Sequence, residues 1–361
     1  MLFSKIKLQY LNLKNKTIIL KPINKNIASF IIEEIEFAKG HPWAGKEDRQ
    51  YRGEIELRIS NKGITMINIV NAEEYLYSVL SSEMMAWWPY EALKAQAIIA
   101  RSYLFHKKKY SQTHKNQGFD LCESQHCQVY KGISSETKQT NRAVNATRGE
   151  ILTYKNRVIN ALYHSNCGGH TQGSVELKGW YDQPYLSPVF DGYSNTVFPS
   201  TPFDLELWIK SKPIVYGNQP SLKYPPSFRW FRVIPAKIMQ EKLNRTKKIG
   251  RIKKIIPIKK NSSGNLGYVK VIGTKGELHI TKENQIRRLF GLGPLRSTLF
   301  WLETRFAKKN HPVEFIIYGG GWGHGVGMCQ TGSAGMALKG FSYKKILSHY
   351  YKGTKWKKLK Y

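Results

Sequence analysis

Glu83 is the residue best placed to do chemistry in this chain. It is the only acidic residue between Glu74 and Glu91, inside the apolar stretch Tyr75-Leu-Tyr-Ser-Val-Leu-Ser-Ser-Glu-Met-Met-Ala-Trp-Trp-Pro-Tyr90. A carboxyl group flanked by Met84, Met85, Trp87 and Trp88 is expected to be partly desolvated. Desolvation disfavours the charged form and raises the pKa toward that of a working proton donor. The alternative is an ordinary helix-terminal carboxylate, since perturbed carboxyl groups also occur in structural networks.

The flanking residues say how Glu83 would be held. Asn71 is a helix-capping type, Glu74 follows at capping-box spacing, and Val70 with Tyr75 has the spacing of a hydrophobic staple. They predict a helix over about 72–80. Pro89 suits the first position of a second helix, with Glu91 in its first turn, so Glu83 is expected in the connection between the two. On the second helix Leu93, Ala97, Ala100 and Leu104 form an apolar stripe, with Gln96 and Arg101 projecting from its margins. Those two either face a groove shared with Glu83 or form a solvated helix edge.

The segment from Tyr75 to Tyr103, with Ser-Glu-Met, Lys-Ala-Gln-Ala and a closing Arg-Ser-Tyr, resembles the signature of the stage II sporulation protein D family, also called amidase-enhancer proteins. Three later stretches match it in order: Cys122-Glu-Ser-Gln-His-Cys-Gln-Val-Tyr-Lys-Gly132, Tyr163-His-Ser-Asn-Cys-Gly-Gly-His-Thr171 and Gly321-Trp-Gly-His-Gly-Val-Gly-Met-Cys-Gln-Thr-Gly-Ser-Ala-Gly335. The resemblance runs from about Tyr51 to about Lys352. It implies a lytic transglycosylase that cleaves the glycan strands of bacterial peptidoglycan, with Glu83 as the catalytic acid. Gln96, Arg101, Gln128, Tyr130, Ser165 and His324 are then expected to line the substrate groove.

A single acid suffices for that reaction. Hydrolysing glycosidases generally need two carboxyl groups. A lytic transglycosylase uses one glutamate to protonate the glycosidic oxygen and then to deprotonate the C6 hydroxyl of the same muramic acid, which closes a 1,6-anhydro ring. Asp120 and Glu123 are the acidic residues best placed to join Glu83 on folding, and both are expected to be structural or ligand-positioning. The rival function is a non-enzymatic, wall-binding activator of an N-acetylmuramoyl-alanine amidase, as the family's second name suggests.

All four cysteines, Cys122, Cys127, Cys167 and Cys329, fall inside the matched stretches. Cys122 and Cys127 have an acceptable spacing for zinc, with His114 a third ligand candidate and His126, His164 and His170 nearby in sequence. Some members of the resembled family carry zinc beside the cleft. An exported protein could equally join the four cysteines as two disulfides, for which three pairings exist.

Fifty-seven Lys and Arg against 25 Asp and Glu give a formal net charge of +32, which draws the chain to polyanions whatever its fold. Nucleic acid, anionic membrane and bacterial cell wall are the candidates, and nucleic acid is the weak one, because no helix-turn-helix, RNP or zinc-finger pattern accompanies the basic groups. Cell-wall polymers carry carboxylates and often phosphates, and they fit the same charge. The first twenty residues hold no apolar run longer than Ile18-Ile-Leu20, so no signal peptide or membrane span is visible there. An envelope location therefore requires a start upstream of Met1, a processed chain or an unconventional route. The Gly319 to Gly327 stretch fails as a dinucleotide loop, since too little chain follows it.

Alternation over 53–60 and 63–70 predicts paired strands turning at Asn61-Lys-Gly63. Further strands are expected over 158–163, 228–234, 267–272 and 313–318, helices over 236–243 and 282–290, and a surface excursion over 199–226. The expected fold is α+β, a β-strand-rich single catalytic unit over 51–352 with helices grouped around the active-site segment. Its signature core spans about 70–171 and its glycine-rich motif 319–335. An unassigned extension over 1–50 precedes it and a basic tail over 353–361 follows.

Overall fold

The computed structural model describes residues 17–24, 28–37, 44–60, 63–193, 198, 201–222, 228–307 and 311–360. The fold is α+β. Where the sequence reading has one unit, the chain folds into two compact ones, Met1–Ala86 with Lys107–Arg148, and Trp87–His106 with Gly149–Tyr361. The boundary at residue 106 falls inside a helix, which is why no proline- or glycine-rich linker marks it.

In the first unit, β1 (Thr17–Leu20), β2 (Phe30–Phe37), β3 (Gly45–Tyr51), β4 (Glu54–Ser60) and β5 (Gly63–Ile69) lead into the helix α1 (Ala72–Glu83). The predicted hairpin is present: β4 pairs β5 antiparallel from Glu54 opposite Ile69 to Ser60 opposite Gly63. Residues 61–62 of its turn lie outside the described residues. β1 adds to the other edge of β4, and β2 pairs with β3, so the stretch before Gln50 supplies three strands. Its alternation is broken by a register shift between Ile32 and Ile35, where Glu34 has φ 56°, and a bulge of this kind hides a strand from period-two reading.

α1 begins as predicted, with the Asn71 side chain accepting from the Glu73 amide at 2.9 Å. It continues past Leu80 to Glu83. Ser81 does not end it, because its hydroxyl bonds back to the Tyr77 and Ser78 carbonyls at 3.1 and 3.0 Å. α2 (Tyr90–Tyr110) follows, and α3 (Lys138–Ala146) is capped by Thr137. Tyr77 of α1 donates to Asn145 of α3 at 2.6 Å. Ile55, Leu76, Val79, Leu80, Met84, Ala143 and Val144 are all buried.

The second unit holds β6 (Glu150–Tyr154), β7 (Arg157–Val158), β8 (Tyr163–His164), α4 (Pro202–Lys210), β9 (Arg229–Pro235), α5 (Ala236–Thr246), β10 (Ile252–Lys260), β11 (Leu266–Gly273) and β12 (Glu277–Ile280). α6 (Glu283–Leu289), β13 (Phe300–Ala307), β14 (His311–Gly320), β15 (Met328–Cys329), α7 (Gln330–Leu338), α8 (Tyr343–Tyr350) and β16 (Lys355–Lys358) complete it. The strand expected over 158–163 is two short strands instead, because the chain changes partners there: β7 pairs with β6, and β8 runs parallel to β15. The expected excursion contains α4, while residues 199–200 and 223–227 lie outside the described ones. The basic tail forms β16 on the edge of β6.

Ala95, Ile98 and Ile99 of α2 pack in one core with Leu152, Val326, Met328, Cys329, Ile346 and Leu347. A second core gathers Trp230, Met239, Val271, Ile286, Phe300 and Ile317 from the elements between β9 and β14.

Candidate active site

Glu83 is the last residue of α1 and is half-buried. Its Oε1 accepts the Val129 amide at 2.9 Å. Two residues on, the Lys131 amide donates to the Ser78 hydroxyl at 2.9 Å, so the extended strap 128–131 lies along α1 with alternate amides bonded to helix side chains. The intervening side chains turn inward. Gln128 is fully buried and accepts from the Tyr75 hydroxyl at 3.3 Å, and Tyr130 donates to Asn68 at 2.6 Å. The Tyr130 ring sits 5.0 Å from that of Tyr75 and 5.9 Å from that of Tyr51, and burial pushes its phenol well above the usual tyrosine range. Strap and helix together fix the Glu83 carboxylate rather than leaving it on a free helix end. Of its sequence neighbours Met84 and Trp88 are buried and Trp87 is exposed. Asp120 lies at the surface with Lys108 4.0 Å away.

Gln96 and Arg101 are not at a solvent-facing margin. Both are fully buried, because every residue of α2 from Ala95 to Leu104 is buried, as its alanine-rich middle permits. Arg101 donates to the Glu150 carbonyl at 3.1 Å, and Gln96 Oε1 accepts from Gln330 at 3.5 Å, which makes both braces within the second unit. Ser165 and His324 are half-buried in that unit. His324 Nδ1 accepts the Val326 amide at 3.1 Å, and its ring also bonds the Tyr163 backbone. Burial and the Arg287 charge push His324 down to about 4, so it is neutral at pH 7. With its ring already bonded on the protein side, His324 is a poorer sugar donor than its sequence context suggests. The glycine-rich stretch around it laces to the Tyr163–Thr171 motif and the residue after it through bridges of Trp322 with Asn166 and Val326 with Gln172.

His114, Cys122 and Cys127 converge, and His126 joins them: the four ligand atoms lie within 4.8 Å of one another. Cys127 Sγ is 3.3 Å from His114 Nε2 and 3.7 Å from His126 Nδ1, and Cys122 Sγ is 3.5 Å from His126 Nδ1. Zinc at ~2.3 Å from sulfur and ~2.0 Å from nitrogen sets tetrahedral neighbours about 3.5 Å apart, so this donor set fits zinc. Gln117 Oε1 lies 2.5 Å from His114 Nδ1, the outer bond that leaves Nε2 turned to the cluster. His126, named from the sequence only as a nearby histidine, adjoins Cys127 and so reaches the same sulfur. Purified chain is expected to carry zinc here, and Cys122→Ser/Cys127→Ser to lose one equivalent by atomic absorption. Wild-type protein without metal and with both thiols blocked would establish the disulfide alternative.

Residues 60–154 match the family described as Stage II sporulation protein. Stage II sporulation protein D of Bacillus subtilis is 29% identical over 309 residues, covering 82% of this chain and 76% of that protein. This chain belongs to the stage II sporulation protein D family. The amidase enhancer of Bacillus subtilis is 29% identical over 303 residues, which is 77% of this chain and 40% of that protein. An uncharacterized protein of Brachyspira hyodysenteriae is 30% identical over 309 residues, 84% of this chain and 72% of its own length. The matched sporulation-protein stretch carries Glu83, its strap and all four clustered histidines and cysteines, whereas residues 179–327 match a domain of unknown function, DUF8618.

Proposed function

We propose that this chain is a lytic transglycosylase that cleaves the glycan strands of bacterial peptidoglycan with Glu83 as its single acid and base. The observation that carries the reading is the Glu83 carboxylate closing α1 and clasped by the Val129 amide, inside the stretch matched to the family. In this reaction Glu83 donates its proton to the glycosidic oxygen as the bond to the leaving sugar breaks. The resulting carboxylate takes the proton of the C6 hydroxyl, whose oxygen closes on the anomeric carbon. The nucleophile belongs to the reacting sugar, so no second carboxylate is required and proximity supplies much of the acceleration. Holding Glu83 in one orientation serves both proton transfers, which occur on one sugar in succession.

A net charge of +32 suits a protein that works along an anionic wall, in the cell envelope. Among the described residues no helix is long and apolar enough to cross a membrane.

The amidase-enhancer relative favours a second reading, a wall-binding activator of an amidase. Incubating the pure chain with glycan strands, with and without stem peptides and with and without an N-acetylmuramoyl-alanine amidase, separates the two. Glycan fragments released in the absence of amidase are expected. Intact glycans under every condition, with amidase turnover raised, would replace the enzyme reading by the activator.

A further inference from the structure

We propose that His164, Cys167 and Cys329 form a second metal site, binding one zinc-class divalent cation in the interior of the second unit. The three ligand atoms lie within 4.8 Å of one another and all three residues are buried. They come from two chain segments about 160 residues apart, joined where β8 runs parallel to β15 with His164 opposite Cys329.

The decisive feature is His164. Its Nδ1 bonds the Val326 carbonyl at 3.1 Å, an interaction that requires the proton on Nδ1 and leaves the lone pair on Nε2. Nε2 is buried and has no hydrogen-bond partner among the described residues. A buried imidazole nitrogen is rarely left unmatched, and one whose opposite nitrogen is anchored by a carbonyl has the outer bonding of a metal-ligating histidine.

Backbone amides point at both sulfurs. Cys329 Sγ receives the Cys167 amide at 3.3 Å and the Gly332 amide at 3.2 Å, the latter at the N-terminus of α7. Cys167 Sγ receives the Gly169 amide at 3.3 Å. A divalent cation offsets the charge of the two thiolates, and the neutral imidazole adds none, so binding leaves no uncompensated thiolate in the interior. Binding releases two protons, one from each thiol, and forms two metal–sulfur bonds and one metal–nitrogen bond. Without metal, the Cys167 thiol donates to Asp191 Oδ2 at 3.2 Å. Asp191 keeps the Tyr350 hydroxyl at 2.6 Å when that proton leaves. A Cys167–Cys329 disulfide would leave His164 Nε2 unmatched.

The test measures zinc in the full chain carrying Cys122→Ser/Cys127→Ser, which leaves this second cluster untouched. One equivalent is expected to remain, and replacement by Co²⁺ is expected to give a thiolate-to-cobalt charge-transfer band. The same reading in His114→Ala/His126→Ala removes the other cluster by a different route, in case the serine variant does not fold. Metal-free variants overturn the proposal, whether Cys167 and Cys329 then titrate in denaturant as two free thiols or prove blocked as a disulfide.

Discussion

Glu83→Gln is expected to lower cleavage of purified glycan strands by about 10²- to 10⁴-fold, the range of a positioned acid–base group, while melting temperature and glycan binding stay at wild-type values. The amide is nearly isosteric, and its carbonyl oxygen can still accept the Val129 amide that now holds Glu83 at 2.9 Å. What it cannot do is donate the proton to the glycosidic oxygen and recover one from the C6 hydroxyl. The loss should therefore fall on kcat, with KM little changed. A loss below tenfold would return Glu83 to the status of an ordinary helix-terminal carboxylate.

Gly327→Ala is expected to be the most damaging single methyl in the glycine-rich stretch. Gly327 has φ 76°, and an added Cβ would stand 2.0 Å from the Leu162 carbonyl oxygen. That oxygen accepts the Met328 amide at 3.2 Å and the Tyr351 hydroxyl at 2.6 Å, beside the β8–β15 pair. Left-handed strain of about 1–2 kcal/mol combines with at least one strained or broken buried hydrogen bond, for a total of about 3 kcal/mol in urea unfolding. Gly340→Ala is the control. It has φ 82°, and an added Cβ meets nothing within 4 Å among the described residues, so only the backbone strain is expected there. Equal losses at the two positions would mean that the close approach at Leu162 does not matter.

Local grammar made much of the fold legible. The Asn71 cap located the start of α1, and alternation in the sequence located β4 and β5, because caps and period-two patterning are short-range properties. β2 escaped because a bulge at Glu34 interrupts its alternation, and the end of α1 escaped because serine hydroxyls can bond within a helix as well as terminate one. Glu83, Cys122, Cys127 and His114 could be singled out from residue type and spacing. The interior placement of Gln96 and Arg101 could not, since a stripe of small residues looks the same on a helix that is half-covered as on one enclosed all round. The buried trio of His164, Cys167 and Cys329 depends on a parallel pairing across about 160 residues, which no local pattern encodes.

Mass spectrometry of the fragments released from stem-peptide-free glycan strands tests the central claim most directly. The single-acid mechanism predicts 1,6-anhydromuramic ends, lighter by one water than hydrolytic ends, in the wild-type digest. Reducing muramic ends would contradict it, because they require an activated water and a second carboxylate acting with Glu83.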